Sequence, residues 1–189
     1  MSTPQRNPPE GIDILLVEDN PYDAELTLRA LRQVNLGDRV TWLRDGAETL
    51  EFLFGASGVA SLPGSAPPKL VLLDLKLPKV EGQEVLRRIK GDPRTRMIPV
   101  VILTSSREDG DVRGSYEAGA NGYVVKPVDF VRFTATIKQL GQFWLQVNEP
   151  PPDRLTPGEH PRSACEAGSA ENLGGNHAAG AVAKLSRDS

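Results

Sequence analysis

Five side chains in this 189-residue chain are of types that do chemistry together: the adjacent acids Glu18 and Asp19, the carboxylate Asp74, the hydroxyl Thr104 and the ammonium Lys126. Three carboxylates brought together repel and raise one another's pKa unless a cation intervenes, and a hard divalent ion takes oxygen ligands. Mg²⁺ suits this set, because it needs one or two carboxylates, keeps several waters and leaves positions free for phosphate oxygens. Thr104 and Lys126 add a hydroxyl and an ammonium, the donors that hold the equatorial oxygens of a transferring phosphoryl group. Asp74, midway among them, is the natural nucleophile. Each residue alone has a plainer use: a charge pair at a helix N-terminus for Glu18-Asp19, a cap for Thr104, a lysine lying along apolar surface for Lys126. Their common placement argues for chemistry.

That placement comes from the segments before them. Ile12 to Val17, Leu70 to Leu77 with Asp74 toward its carboxyl end, and Pro99 to Leu103 are short, largely apolar runs bounded by turn residues, the pattern of parallel strands covered on both faces. Tyr123-Val124-Val125 delivers Lys126, and Val40 to Leu43 is a further strand. Between them lie helical patterns: Pro21 to about Val34 after an Asn20 cap and closed by Gly37, Ala47 to Phe54, Gly82 to Gly91, Glu108 to Ala118, and Asp129 to Val147. Gly110 and Gly114 each cost about 1 kcal/mol relative to Ala in a helix interior, so the fourth helix is expected to be soft. Five βα units with right-handed crossovers make one doubly wound α/β domain, a five-stranded parallel sheet with helices on both faces. Its strand ends share one edge, where open α/β sheets place their chemistry.

Composition limits the rest. One ordinary domain fits this length, here residues 12–149, with a flexible 1–11 before it and a Pro- and Gly-rich tail, 150–189, that reads as disordered. Within that tail Ala178 to Leu185 is a weak run that could form a short helix, but its composition favours a mobile segment. The long connection Gly55 to Pro68 reads as surface elaboration. A net charge of -3 gives no electrostatic reason to expect nucleic acid or an anionic membrane. No segment has the apolar length of a membrane span, and the lone Cys165 has no partner for a disulfide, which together suit a cytoplasmic protein. Both histidines, His160 and His177, lie in the tail, so the folded site has no phosphohistidine donor of its own and no Ser-His-Asp arrangement.

With Glu18-Asp19, Asp74 followed by Pro78 and Gly82, Thr104, and Lys126-Pro127 in this order, the chain resembles the receiver domains of two-component response regulators over residues 12–147. The spacing fits that family if one loop is lengthened, as Gly55 to Pro68 does. The resemblance implies the flavodoxin-like strand order 2-1-3-4-5 and a phosphoryl group taken by Asp74 from a histidine kinase. It implies that Asp19 and Asp74 bind Mg²⁺ directly, Glu18 through water, and the Lys76 backbone carbonyl as a further ligand. Thr104 and Lys126 would contact the phosphoryl group, and Tyr123 would turn inward as Thr104 shifts. The Lys126-Pro127 bond would be cis, and Lys76 and Ser106 would occupy positions that tune phosphate lifetime.

The last helix carries more apolar residues than one face needs. Phe130, Phe133, Ile137, Leu140, Trp144 and Val147 form a stripe, while Val131, Phe143 and Leu145 lie off it. The excess at Phe143-Trp144-Leu145 suggests a surface for self-association; the plain alternative is that the helix end curls over its own core. Together with Glu18-Asp19-Asn20-Pro21 and Lys126-Pro127-Val128-Asp129, it resembles the single-domain regulators that partner bacterial phytochromes, often homodimers. The expected protein is thus a stand-alone phosphoacceptor that switches a protein-interaction surface. Two other readings stand beside it: an adaptor that dimerises without phosphorylation, and a phosphatase-like aspartyl hydrolase, which usually has a second acid where Lys76 stands.

Overall fold

The structure is a computed structural model and describes residues 12–56, 58 and 67–151. In chain order the elements are β1 (Ile14–Val17), α1 (Pro21–Arg32), β2 (Val40–Leu43), α2 (Gly46–Phe54), β3 (Leu70–Leu73), α3 (Gly82–Gly91), β4 (Val100–Thr104), α4 (Asp109–Glu117), β5 (Gly122–Val125) and α5 (Phe130–Gln142), which runs into a π-helical turn, Phe143–Val147. The five strands are all parallel and lie in the order β2-β1-β3-β4-β5. The expected fold is therefore present. The N-terminal stretch, the tail beyond Pro151 with its Ala178–Leu185 run, and most of the long loop lie outside the described residues.

Alternation along the strands builds two core layers. Leu15, Val17, Val71, Leu73, Val100 and Ile102 meet Leu53 of α2 and Val85, Leu86 and Ile89 of α3 on one face. Ile14, Leu16, Leu70, Leu72, Val101 and Leu103 meet Ala24 and Leu31 of α1 and Phe133 and Ile137 of α5 on the other. Each such side chain, fully buried, stabilises the fold by roughly 1.5–3 kcal/mol. Continuous apolar strands are thus what a two-faced sheet requires.

Several boundaries differ from the sequence reading, each for a physical reason. Strand β3 stops at Leu73, so Asp74 is the first residue past it, although Leu75 and Leu77 remain buried. Helix α1 ends at Arg32, and Asn35, not Gly37, supplies the left-handed residue at φ 59°. Leu36 N–H donates to Leu31 O at 3.0 Å and Asn35 N–H to Arg32 O at 3.1 Å, a Schellman closure that an Asn can make. Gly37 serves close approach instead, since a Cβ there would lie 2.3 Å from Arg32 Cγ. Among the described residues no peptide bond is cis, so Lys126-Pro127 is trans, the isomer an X–Pro bond favours by about 0.5–1 kcal/mol.

The last helix also differs. The π-helical turn, closed by Asn148 N–H on Phe143 O at 2.7 Å, adds a residue to the final turn. Trp144 and Leu145 are half-buried against the α1/α5 layer, so the helix end does cover its own core there. Phe143 and Val147 stay exposed, Phe143 set edge-on to Trp144 with ring centroids 5.1 Å apart. Phe130, placed on the buried stripe by periodicity, is 57% exposed because the helix begins at that residue, outside the packed stretch.

Candidate functional site

Sheet register brings the polar residues together. Val17 pairs with Leu73, so Glu18 and Asp74 leave the sheet level with each other; Asp74 N–H still donates to Val17 O at 3.0 Å. Leu73 pairs with Ile102, which sets Thr104 one step beyond the level of Asp74, and Thr104 pairs with Val125, which sets Lys126 one step further. Lys126 N–H closes this corner on Thr104 O at 2.7 Å. The loop after Asp74 is pressed tight against it: a Cβ on Gly82 would lie 2.0 Å from Asp74 O, so only glycine lets α3 start there. Lys79 in the same loop has φ 66° and pairs with Asp45, the N-cap of α2.

The Lys126 ammonium is the centre of the site. Nζ lies 2.6 Å from Glu18 Oε2, 2.7 Å from Asp74 Oδ2 and 2.9 Å from Asp23 Oδ2. Glu18, Asp74 and Lys126 are nearly sealed from water, whereas the Asp23 side chain is 32% exposed. Burial pushes the Glu18 carboxyl up to about 7, against the pull of the Lys126 charge, and Asp74 and Asp23 push the same way. Burial draws Lys126 down, but Glu18 and Asp74 outweigh it, so the ammonium is held above its ordinary value. One oxygen each of Glu18, Asp19 and Asp74 lie within 4.8 Å of one another, with Asp19 exposed at the mouth.

These acids fit a divalent cation. Opposite ligands of Mg²⁺ at 2.0–2.1 Å stand about 4.2 Å apart, so three oxygens within 4.8 Å need a small adjustment or one intervening water. All-oxygen donors and an exposed Asp19 give the hard ligands and the water access such an ion wants.

The other expected residues are placed nearby. Thr104 is fully buried, and its Oγ1 accepts a long bond from Ser106 N–H at 3.4 Å. Tyr123 donates its hydroxyl to Ser106 O at 3.3 Å, which ties the β5 ring to the loop after Thr104. Lys76 exposes its side chain while its N–H donates to Asp74 Oδ1 at 3.2 Å. Phe143, Trp144 and Leu145 belong to the α5 end and make no bond to the acidic cluster.

Three residues escaped sequence reasoning. Asp23 reads as an ordinary first-turn acid of α1, and its signal was an acid one helical turn past the corner. Trp42 donates its indole N–H to Glu18 O at 2.8 Å and fixes the acidic corner from β2. Asp111, in the first turn of α4, accepts the Ser106 hydroxyl at 2.5 Å. Asp23 meets Lys126 across 103 positions and Trp42 meets Glu18 across 24, contacts that no sequence spacing reveals.

Residues 14–138 match the response regulator receiver domain family. The chain belongs to that family. A probable methanogenesis regulatory protein, FilR2 of Methanothrix harundinacea, is 44% identical over 73% of this chain and 86% of its own length. Response regulator Rcp1 of Synechocystis is 37% identical over 75% of this chain and 93% of its own; its Mn²⁺-bound structure superposes with a TM-score of 0.67 over 75% of this chain and 99% of that one. The structure of the bacteriophytochrome response regulator AtBRR is 52% identical, with a TM-score of 0.56, over 75% of this chain and all of that one. As a receiver, the protein is a phosphoacceptor signalling protein served by histidine kinases. No helix among the described residues is long and apolar enough to cross a membrane.

Proposed function

We propose that Asp74 is the phosphoacceptor, that Glu18, Asp19, Asp74 and the Lys76 carbonyl hold Mg²⁺, and that Thr104 and Lys126 hold the phosphoryl oxygens. The observation that carries this is the largely buried Lys126 ammonium 2.7 Å from Asp74 Oδ2, beside a cluster of three carboxylates. An Asp74 oxygen attacks the phosphorus of a kinase phosphohistidine; the new O–P bond forms as the P–N bond breaks, and the imidazole leaves with the electron pair. Lys126 donates to one phosphoryl oxygen and the Thr104 hydroxyl to another, stabilising the negative charge that those oxygens carry in the transition state and in the acyl phosphate. A Mg²⁺ held by Glu18, Asp19, Asp74 and the Lys76 carbonyl would supply further neutralisation of the phosphoryl charge. Drawing Thr104 toward the phosphoryl group moves the Ser106 loop, and Tyr123, bonded to that loop, follows.

The output surface in this reading is the β5 flank with the exposed Phe143 and Val147, used for a homodimer or another protein contact. Similarity to AtBRR supports a bacteriophytochrome-type kinase as the cytoplasmic donor. Mg²⁺-dependent labelling by acetyl phosphate should vanish in Asp74→Asn; equal labelling of that variant would remove Asp74 from the mechanism. Sedimentation of Phe143→Glu tests the dimer, with a shift to monomer expected and an unchanged assembly counting against this surface.

A further inference from the structure

We infer that Asp23 is a positioning residue for Lys126: it keeps the ammonium at the site while Glu18 and Asp74 turn to a divalent cation, and competes with a phosphoryl oxygen for that ammonium. The inference rests on the phosphoacceptor reading and extends it to a fourth carboxylate. A lysine ammonium has three N–H donors, and here each has one carboxylate. Two of those carboxylates belong to the cluster of acids that fits a cation; Asp23 does not. Cation binding therefore asks Glu18 and Asp74 to give up their share of Lys126 and leaves Asp23 as its remaining partner.

Asp23 is placed for this by its helix. Asn20 caps α1 through Tyr22 N–H at 2.9 Å, and the Thr27 hydroxyl donates to Asp23 O at 2.8 Å, so regular helix sets the carboxylate and no mobile loop does. Its side chain is also the most exposed of the three, which makes its contact with Lys126 the easiest to exchange.

Removing the Asp23 charge should therefore move two equilibria in opposite directions. In Asp23→Asn, Lys126 falls back on Glu18 and Asp74, and a cation must displace it. Once the cation is bound, the same ammonium is unshared and free for a phosphoryl oxygen. A general loosening of the site would weaken both.

The experiment uses the full chain, with Mg²⁺ affinity read by tryptophan emission, Trp42 being bonded to the Glu18 carbonyl. Beryllofluoride at saturating Mg²⁺ serves as the probe of the phosphoryl position. In Asp23→Asn, Mg²⁺ should bind about threefold to tenfold more weakly and beryllofluoride more tightly by a similar factor, the scale of one partly exposed ion pair. Asp23→Glu should keep both constants near the wild type. In a Lys126→Gln background, Asp23→Asn should shift neither by more than about twofold, because the effect runs through the ammonium. Parallel weakening, no change, an Asp23→Glu that behaves like Asn, or equal shifts in both backgrounds would each overturn the proposal. A wild type that binds Mg²⁺ but no beryllofluoride would overturn the phosphoacceptor reading itself, a distinct outcome.

Discussion

The central strands and the β5 flank are built from similar residues but covered differently. Every residue of β1, β3 and β4 is at most 1% exposed, whereas each residue of the edge strand β5 is only half-buried. On the flank, α4 buries Ser115 alone, and α5 leaves Phe130 and Val131 exposed at its start. The first region fixes Glu18 and Asp74 as a rigid pair. The second carries Tyr123 and the loop contacts of Thr104, and a loosely covered edge can shift at little cost. A receiver needs both: a site whose geometry does not drift, and a surface that can answer it.

The largest test of this contrast is Leu72→Ala on β3. Full burial predicts a loss of about 3–5 kcal/mol in chemical denaturation, against about 1 kcal/mol for Val124→Ala on β5. Equal losses would erase the distinction. Gly82→Ala comes next, at about 2–3 kcal/mol, since the clash is with the Asp74 backbone and cannot be relieved by a rotamer change. Labelling at Asp74 should slow with it.

Glu18 gives a pH test of the rigid side. Its carboxyl is raised from 4.5 to about 7 in the folded protein, so the native state binds its proton more tightly than the unfolded chain does. The associated stability is fully present below pH 4.5 and is lost as pH rises through about 7. Cation-free protein should therefore lose roughly 2–3 kcal/mol between pH 4.5 and 8 from this group, a slope that Glu18→Gln removes. Added Mg²⁺ should restore stability at the high end, where Glu18 is ionised. The smallest effect belongs to the flank: Gly110→Ala, whose Cβ meets nothing within 4 Å, should stabilise α4 by about 0.5 kcal/mol and sharpen its amide protection.

Much of this architecture was legible in the chain. Short apolar runs bounded by Pro, Gly and Asp placed all five strands, because a sheet covered on both faces has no polar alternation to disguise it. Glu18, Asp19, Asp74, Thr104 and Lys126 were legible because each stands at or just past the end of such a run. Helix ends were harder, since Asn35 closes α1 through a left-handed backbone conformation that glycine, present two residues later, adopts more readily. The α5 end was hard to read because a π-helical turn breaks the period of the stripe there, which leaves Val147 exposed and half-buries Leu145.

Local pattern along the chain sets the order of the elements and which residues stand at the strand ends. Which charges meet follows from the folded sheet. Register set Glu18 level with Asp74 and Lys126 two steps beyond, and the first turn of α1 brought Asp23 to the same ammonium. Those contacts depend on distances of 2.6–2.9 Å between residues up to 108 positions apart, and at such separations packing of the whole sheet, not spacing along the chain, fixes the geometry.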